Sequence, residues 1–113
     1  MKIKQSDVWL ADLNPRIGTE PGKVRPVVIV QTNLLNGIHP STLICPVTSK
    51  VCPEASLLRV HISQVFDELM VPSDIMIDQV RAIDNQRLLR KIGTLQHEKA
   101  LQVKKNLAIL LDL

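Results

Sequence analysis

Residues 18–26 read Gly-Thr-Glu-Pro-Gly-Lys-Val-Arg-Pro, so one segment brings together the carboxylate of Glu20, the cations of Lys23 and Arg25, and flexible backbone. Arg25 precedes Pro26, and a residue before proline is biased to an extended backbone. That bias fixes the guanidinium at the mouth of the apolar run Val27-Val28-Ile29-Val30. A planar fork of N–H donors there suits a phosphodiester. It suits equally the fastening of its own loop through carbonyl oxygens, and residue chemistry alone leaves both readings open. Glu20 is likewise open between a proton acceptor and a salt bridge to Lys23.

Other chemistries find less support. Cys45 and Cys52 lack the C-x-x-C spacing, and His39, His61 and His97 are scattered. No metal cluster is expected, and both thiols read as structural or incidental. No Gly-x-Gly-x-x-Gly or Walker signature occurs. His61, in a strand-like stretch, reads as a packed or surface residue rather than a proton donor. The only aromatic rings are Trp9 and Phe66. A single-strand binder built on stacking needs several exposed rings, so any RNA must be held through phosphates and shaped polar pockets. Trp9, inside an apolar stretch, is expected in the core.

The elements that must position these residues are short. Asp7 to Leu13 reads as a strand ending at Asn14-Pro15. Residues 14–26 carry two glycines and three prolines, which predicts a long loop. Loops of this length in a compact domain are usually functional or disordered, and the strand Val27–Val30 at its end favours function. That β-branched run fits a strand buried on both faces. A turn region over 33–40 leads to a third strand, Ser41 to Thr48, in which Pro46 argues for an edge or end nearby. Leu57–Ile62 gives a fourth strand, and Ile75–Ile77 and Val80–Ile83 a fifth and sixth. Asp84 can cap a short helix over Asn85–Leu89 that Gly93 ends. Thr94 then reads as the N-cap of a helix from Leu95 to about Leu111. Its stripe of Ala100, Val103, Leu107 and Leu110 is expected to pack on the sheet. The pattern predicts a mainly β, α+β fold: a small half-open β-barrel with a C-terminal helix.

Composition sets the outer limits. With 113 residues, 45% of them apolar and 22% charged, the chain is expected to form one domain over 1–113. It has no apolar run near the roughly 18 residues of a membrane span, and its first residues lack the apolar stretch of a signal peptide. A soluble, cytoplasmic protein with no membrane association is the expectation. The net charge of +3 is segregated: residues 66–84 carry five acids against Arg81, whereas residues 87–105 carry six bases against Glu98. A basic stretch can attract phosphates, although such runs are more often solvated helix faces.

Three blocks then resemble a known family. Asp7-Val8-Trp9-Leu10-Ala11-Asp12-Leu13-Asn14-Pro15, with Gly18-Thr19-Glu20 and Arg25-Pro26-Val27-Val28-Ile29-Val30, is similar to the N-terminal signature of the MazF/PemK type II toxin endoribonucleases. Cys45-Pro46-Val47-Thr48-Ser49 resembles the family segment that ends in a catalytic threonine. Asp78-Gln79-Val80-Arg81-Ala82-Ile83-Asp84 resembles its D-Q-x-R-x-I-D block. The resemblance implies an SH3-like half-open barrel of the CcdB/MazF/PemK toxin type and a homodimer. It also implies sequence-specific, metal-independent cleavage of single-stranded RNA, the activity of an mRNA interferase, with no cofactor. A cognate antitoxin whose acidic tail fills the RNA groove is implied as well.

Carried over by position, the resemblance makes Arg25 and Thr48 catalytic, with Glu20 the loop glutamate. Asp78 and Gln79 are placed at the RNA site, and Thr19, Lys23 and Ser49 are expected to contact RNA with them. PemK-type members carry a histidine and an arginine where this chain has Thr19 and Met76, which favours a MazF-type site built on Arg25 and Thr48.

Without a metal, the nucleophile available is the RNA 2′-OH, giving a 2′,3′-cyclic phosphate and a 5′-OH end. Two other readings share the fold: a CcdB-like poison of DNA gyrase and a non-catalytic SH3-like binding module. The first involves a terminal tryptophan, and this chain ends Leu111-Asp112-Leu113.

Overall fold

A computed structural model of the chain describes residues 2–64, 66 and 71–113. The strands are β1 (Asp7–Asp12), β2 (Val24–Ile29), β3 (Ser41–Thr48), β4 (Arg59–Ile62), β5 (Ser73–Met76), β6 (Arg81–Asp84) and β7 (Leu88–Thr94). One α-helix, α1 (His97–Leu110), follows them. Every pairing is antiparallel, in the order β4-β5-β3-β2-β1-β7, with β6 beside β3. Among the described residues β4 and β7 do not pair with each other, so the barrel stays half open. Gln64 spans part of the gap: its Nε2 donates to the Thr94 carbonyl at 2.8 Å and its Oε1 accepts from the Gln96 N–H at 3.1 Å.

The β-branched run of β2 is buried on both faces, as its sequence predicts. Val27 and Ile29 join a core with Trp9, Ala11, Leu13, Ile44 and Leu88. Val28 points the other way, into a core with Val8, Cys45, Val47, Val60, Ile75 and Val103. Side chains alternate along a strand, so one strand feeds two cores, and each fully buried Val or Ile contributes about 1.5–3 kcal/mol. Trp9 is buried as expected, with its Nε1 donating to Asp7 Oδ2 at 3.4 Å.

Two prolines lie inside ladders. Pro26 faces Leu10 in β1 but has no partner in β3, where pairing starts at Val27. Pro46 faces Val27, and on its other side β3 changes neighbour: Ser41–Ile44 pair with β6, and Val47 and Thr48 with β5. Each proline thus turns its donorless nitrogen to an unpaired stretch of edge. For this reason β2 starts at Val24, and the long loop is shorter than the sequence suggests. Arg25 is a strand residue.

The region after Asp84 differs most from expectation. Asp84 does cap a turn, accepting from the Gln86 N–H at 2.8 Å, but the turn is a single 3-10 turn over Asn85–Arg87. The chain then runs as β7 along β1. Gly93 is not a helix breaker. A Cβ there would collide with the Phe66 ring, so the glycine allows sheet and ring to approach. Thr94 is not an N-cap but the last residue of β7, its hydroxyl 3.4 Å from Asp7 Oδ1. The helix starts at His97 after Gln96, which makes no side-chain cap. Val103 is buried and Ala100 and Leu107 are half-buried against the sheet, but Leu110 is exposed. Asn106 takes a buried place instead, donating to the Ser56 carbonyl. Asp67 and Glu68 of the acidic stretch lie outside the described residues. No described helix is long and apolar enough to cross a membrane.

Candidate functional site

The β2–β3 register pairs Val27 with Pro46, Val28 with Cys45 and Ile29 with Ile44. Continued by two positions, it sets Arg25 opposite Thr48. Thr48 pairs with Asp74 in β5, and Asp74 with His61 in β4. Thr48, Asp74 and His61 thus form a cross-strand row with paired strands about 4.8 Å apart, and Arg25 stands at its end beyond the last β2–β3 pair.

The loop between β1 and β2 forms a wall above this row. Its base is closed twice: the Leu13 N–H donates to the Lys23 carbonyl and the Lys23 N–H to Asn14 Oδ1, both at 2.9 Å. Arg87 holds the chain entering it, donating through Nη1 to the carbonyls of Asp12 at 3.0 Å and Asn14 at 2.6 Å.

Between loop and strands lies an open cleft of about 530 Å³, within the usual range for ligand pockets. Thr19, Glu20, Lys23, Arg25, Thr48 and Ser49, all singled out from sequence, line it together. Arg16, Lys50, Arg59 and Met76 line it too, and sequence reading missed them as site residues. Asp78 and Gln79 do not line it; they occupy a 3-10 turn after β5. Asp78 makes itself felt elsewhere. Burial pushes the Cys45 thiol up to about 12, and the Asp78 charge adds to the rise.

Arg25 does fasten its own loop. Its Nε donates to the Gly22 carbonyl at 2.8 Å, and its Nη1 lies 3.5 Å from the Val47 carbonyl. Two of five N–H groups are engaged, and the half-buried guanidinium still faces the cleft. Burial, and then the positive charge of Arg16, lower its pKa from the ordinary arginine value. The Thr48 hydroxyl accepts from the Lys50 N–H at 3.2 Å, which leaves its own proton to donate. Among the described residues no ion pair joins Glu20 to Lys23, so the loop salt bridge does not form. Glu20 is half-buried in the cleft wall, its N–H donating to the Ile17 carbonyl.

Deeper in the row, Asp74 is buried and collects three donors. These are the Cys52 N–H at 2.7 Å, His61 Nδ1 at 3.0 Å and Arg59 Nη1 at 3.3 Å. Burial alone raises its carboxyl pKa. The Cys52 and His61 hydrogen bonds and the Arg59 charge outweigh that and hold it below its ordinary 3.8. Arg59 Nη1 also donates to the Lys50 carbonyl at 3.0 Å. Nothing in the spacing of residues 59, 61 and 74 announces this cluster; only the β3–β5–β4 pairing assembles it.

The cleft lining carries Arg16, Lys23, Arg25, Lys50 and Arg59 against the single carboxylate of Glu20. It is therefore built for an anion. Among the described residues no group of three or more His, Cys, Asp or Glu side chains is placed to hold a metal ion.

A family model described as PemK-like, MazF-like toxin of type II toxin-antitoxin system matches residues 4–111. The chain belongs to that family. Solved structures share the fold of this MazF-like toxin across nearly its full length. MazF from Deinococcus radiodurans superposes with a TM-score of 0.81 at 23% identity, over 98% of this chain and 97% of that one. The Mycobacterium tuberculosis toxin MazF-mt6 gives 0.78 at 22% identity, over 95% and 97%. An endoribonuclease from a mycobacterial species, in complex with its cognate antitoxin, gives 0.76 at 16% identity, over 98% and 94%. At these identities the likeness is one of fold: a mainly antiparallel, half-open barrel with one C-terminal helix. In the MazF-like toxin described here the cleft lies where β2 and β3 diverge beneath the β1–β2 loop.

Proposed function

We propose that this MazF-like toxin is a sequence-specific endoribonuclease that cleaves single-stranded RNA, mRNA in the cytoplasm, without a metal ion. The observation that carries this reading is the placing of Arg25 opposite Thr48 in a cleft lined by five cations and one carboxylate. The 2′-OH of the substrate attacks the adjacent phosphorus, the 5′-oxygen leaves with a proton, and a 2′,3′-cyclic phosphate remains. Charge grows on the non-bridging oxygens as the bond forms. Arg25 and the Thr48 hydroxyl donate to those oxygens from fixed positions, which favours the transition state over the ground state. Arg25 is a poor base at neutral pH, so electrostatic stabilisation and proton donation are its roles. Glu20 is the carboxylate in the cleft that can take the 2′-OH proton. Thr19, Lys23 and Ser49 contact the strand, and Asp78 and Gln79, which do not line the cleft, meet bases of a longer substrate.

An antitoxin partner is part of the same reading. Solved relatives include MazE–MazF complexes from Deinococcus radiodurans, and a cation-lined cleft suits an acidic segment.

The test is incubation of purified protein with mixed-sequence RNA in excess EDTA, followed by end-group analysis. Cyclic phosphate or 3′-phosphate ends with 5′-OH ends are expected. Replacing the ribose 5′ of the scissile phosphate by deoxyribose should stop cleavage while binding survives. Activity restored only by Mg²⁺ or Mn²⁺, or cleavage of the deoxy-substituted bond, would overturn the mechanism.

A further inference from the structure

Arg25 and Arg59 enter the same cleft from different sides. Arg25 stands on β2 and Arg59 on β4, with β3 and β5 between them. Arg59 pairs with Met76, two residues along β5 from the Asp74 that faces Thr48. Each guanidinium is tied to its own anchors: Arg25 to the Gly22 carbonyl, Arg59 to the Lys50 carbonyl and the Asp74 carboxylate. The two tethered cations can hold two phosphates of one strand.

Arg59 keeps the capacity to do so. Its two acceptors are both met by Nη1, so Nη2 and Nε retain three N–H donors. The Arg59 side chain keeps 23% of its exposure, against 3% for Asp74. The Asp74 charge is shared among Arg59, His61 and the Cys52 N–H. It therefore orients Arg59 without fully neutralising it, and Lys50 beside it adds a further cation to that end of the cleft.

We propose that Arg59 forms a second phosphate subsite, binding a neighbouring phosphodiester of the strand whose reacting phosphate lies at Arg25 and Thr48, and that Asp74 is its positioning residue. The proposal rests on the endoribonuclease reading and adds to it a second point of backbone contact. Two fixed phosphates define the direction and register of a strand. The base at the scissile bond is then set by where the second phosphate is gripped.

The probe is a short RNA carrying the mapped cleavage sequence, with one deoxyribose 5′ of the scissile phosphate so that it binds uncut. Its affinity is measured against salt for wild type, Arg59→Gln and Arg59→Lys. Each phosphate of the probe is then replaced in turn by an uncharged methylphosphonate. Loss of one phosphate contact should lower the slope of log K against log salt by about 0.7. Arg59→Gln should show that loss and bind about tenfold more weakly, whereas Arg59→Lys should keep the slope. One methylphosphonate, not the scissile one, should weaken wild type and leave Arg59→Gln unaffected. In cleavage, Arg59→Gln should raise KM by a larger factor than it lowers kcat. Asp74→Asn should do the same, and the double variant should be no worse than Arg59→Gln alone. Thermal melts check that each variant is folded. If wild type cleaves RNA but Arg59→Gln shows an unchanged salt slope and the same methylphosphonate pattern, the second subsite is wrong and the endoribonuclease reading stands. If wild type neither binds nor cleaves RNA, both fall.

Discussion

Arg25 on β2 faces Thr48 on β3 two register positions beyond the last paired residues, Val27 and Pro46. The strands carry the two side chains to the cleft as the ladder between them ends. Each side chain is anchored locally, Arg25 by the Gly22 and Val47 carbonyls and Thr48 by the Lys50 N–H. Remaining donors are thereby aimed in advance, which spares reorganisation during reaction.

Arg25→Ala and Thr48→Ala should each lower cleavage by about 10²–10³, the usual loss for one transition-state donor. Both residues are only half-buried, so melting temperatures should change little. Near-native cleavage by either folded variant would remove that residue from the site.

The protein should be a dimer in solution. Leu34 and Ile38, on the β2–β3 connection, are 82% and 81% exposed, and Ile109, Leu110 and Leu111 at the end of the chain are exposed too. Apolar surface of this kind marks interaction sites. Light scattering should return twice the 12.7 kDa chain mass, and a purely monomeric protein at micromolar concentration would contradict this.

Gly93→Ala should destabilise the fold by about 1–3 kcal/mol, the ordinary cost of overpacking. The added methyl meets the Phe66 ring. Shrinking that ring in Gly93→Ala/Phe66→Leu should cost less than the two single changes added together, as read from urea midpoints. Strict additivity would show that the two residues do not meet.

Asp74 should govern part of the acid sensitivity. Its folded pKa lies below its ordinary 3.8, so the unfolded chain binds its proton first as pH falls. The stabilisation is fully present above about pH 5 and is lost as pH drops through the folded value. Asp74→Asn should be less stable than wild type near neutrality, and the gap should narrow between about pH 5 and 2. A gap that does not change over that range would show that the Asp74 charge plays no part.

Much of this architecture is legible in the residues themselves. The β-branched run of β2 declares a strand buried on two sides, and β3 keeps its expected bounds. β7 was hidden. Its buried residues Leu88 and Ile92 are four apart, a helical interval, and they belong to different cores. The reason is that the β1–β7 ladder shifts register between Val8 and Trp9 and again between Leu10 and Ala11. Alternation therefore breaks, and only the partner strand reveals it. The candidate site divides in the same way. Glu20, Lys23 and Arg25 are close in sequence, and their meeting where the loop runs into β2 can be read directly. Arg59 and Asp74 are 15 residues apart and meet only because β4 and β5 pair. Local pattern carries no trace of that contact.

Pro46 has a consequence for the clamp. Where it interrupts one edge of β3, the strand passes from one neighbour to another, and the sheet folds there as two leaves fold at a spine. Arg25 is mounted on one leaf. Thr48 lies just past the spine, braced against β5 on the other. The gap between the two donors is therefore set by the angle at which the leaves meet, and packing far from the cleft, in the two cores beneath, fixes the bite of the clamp.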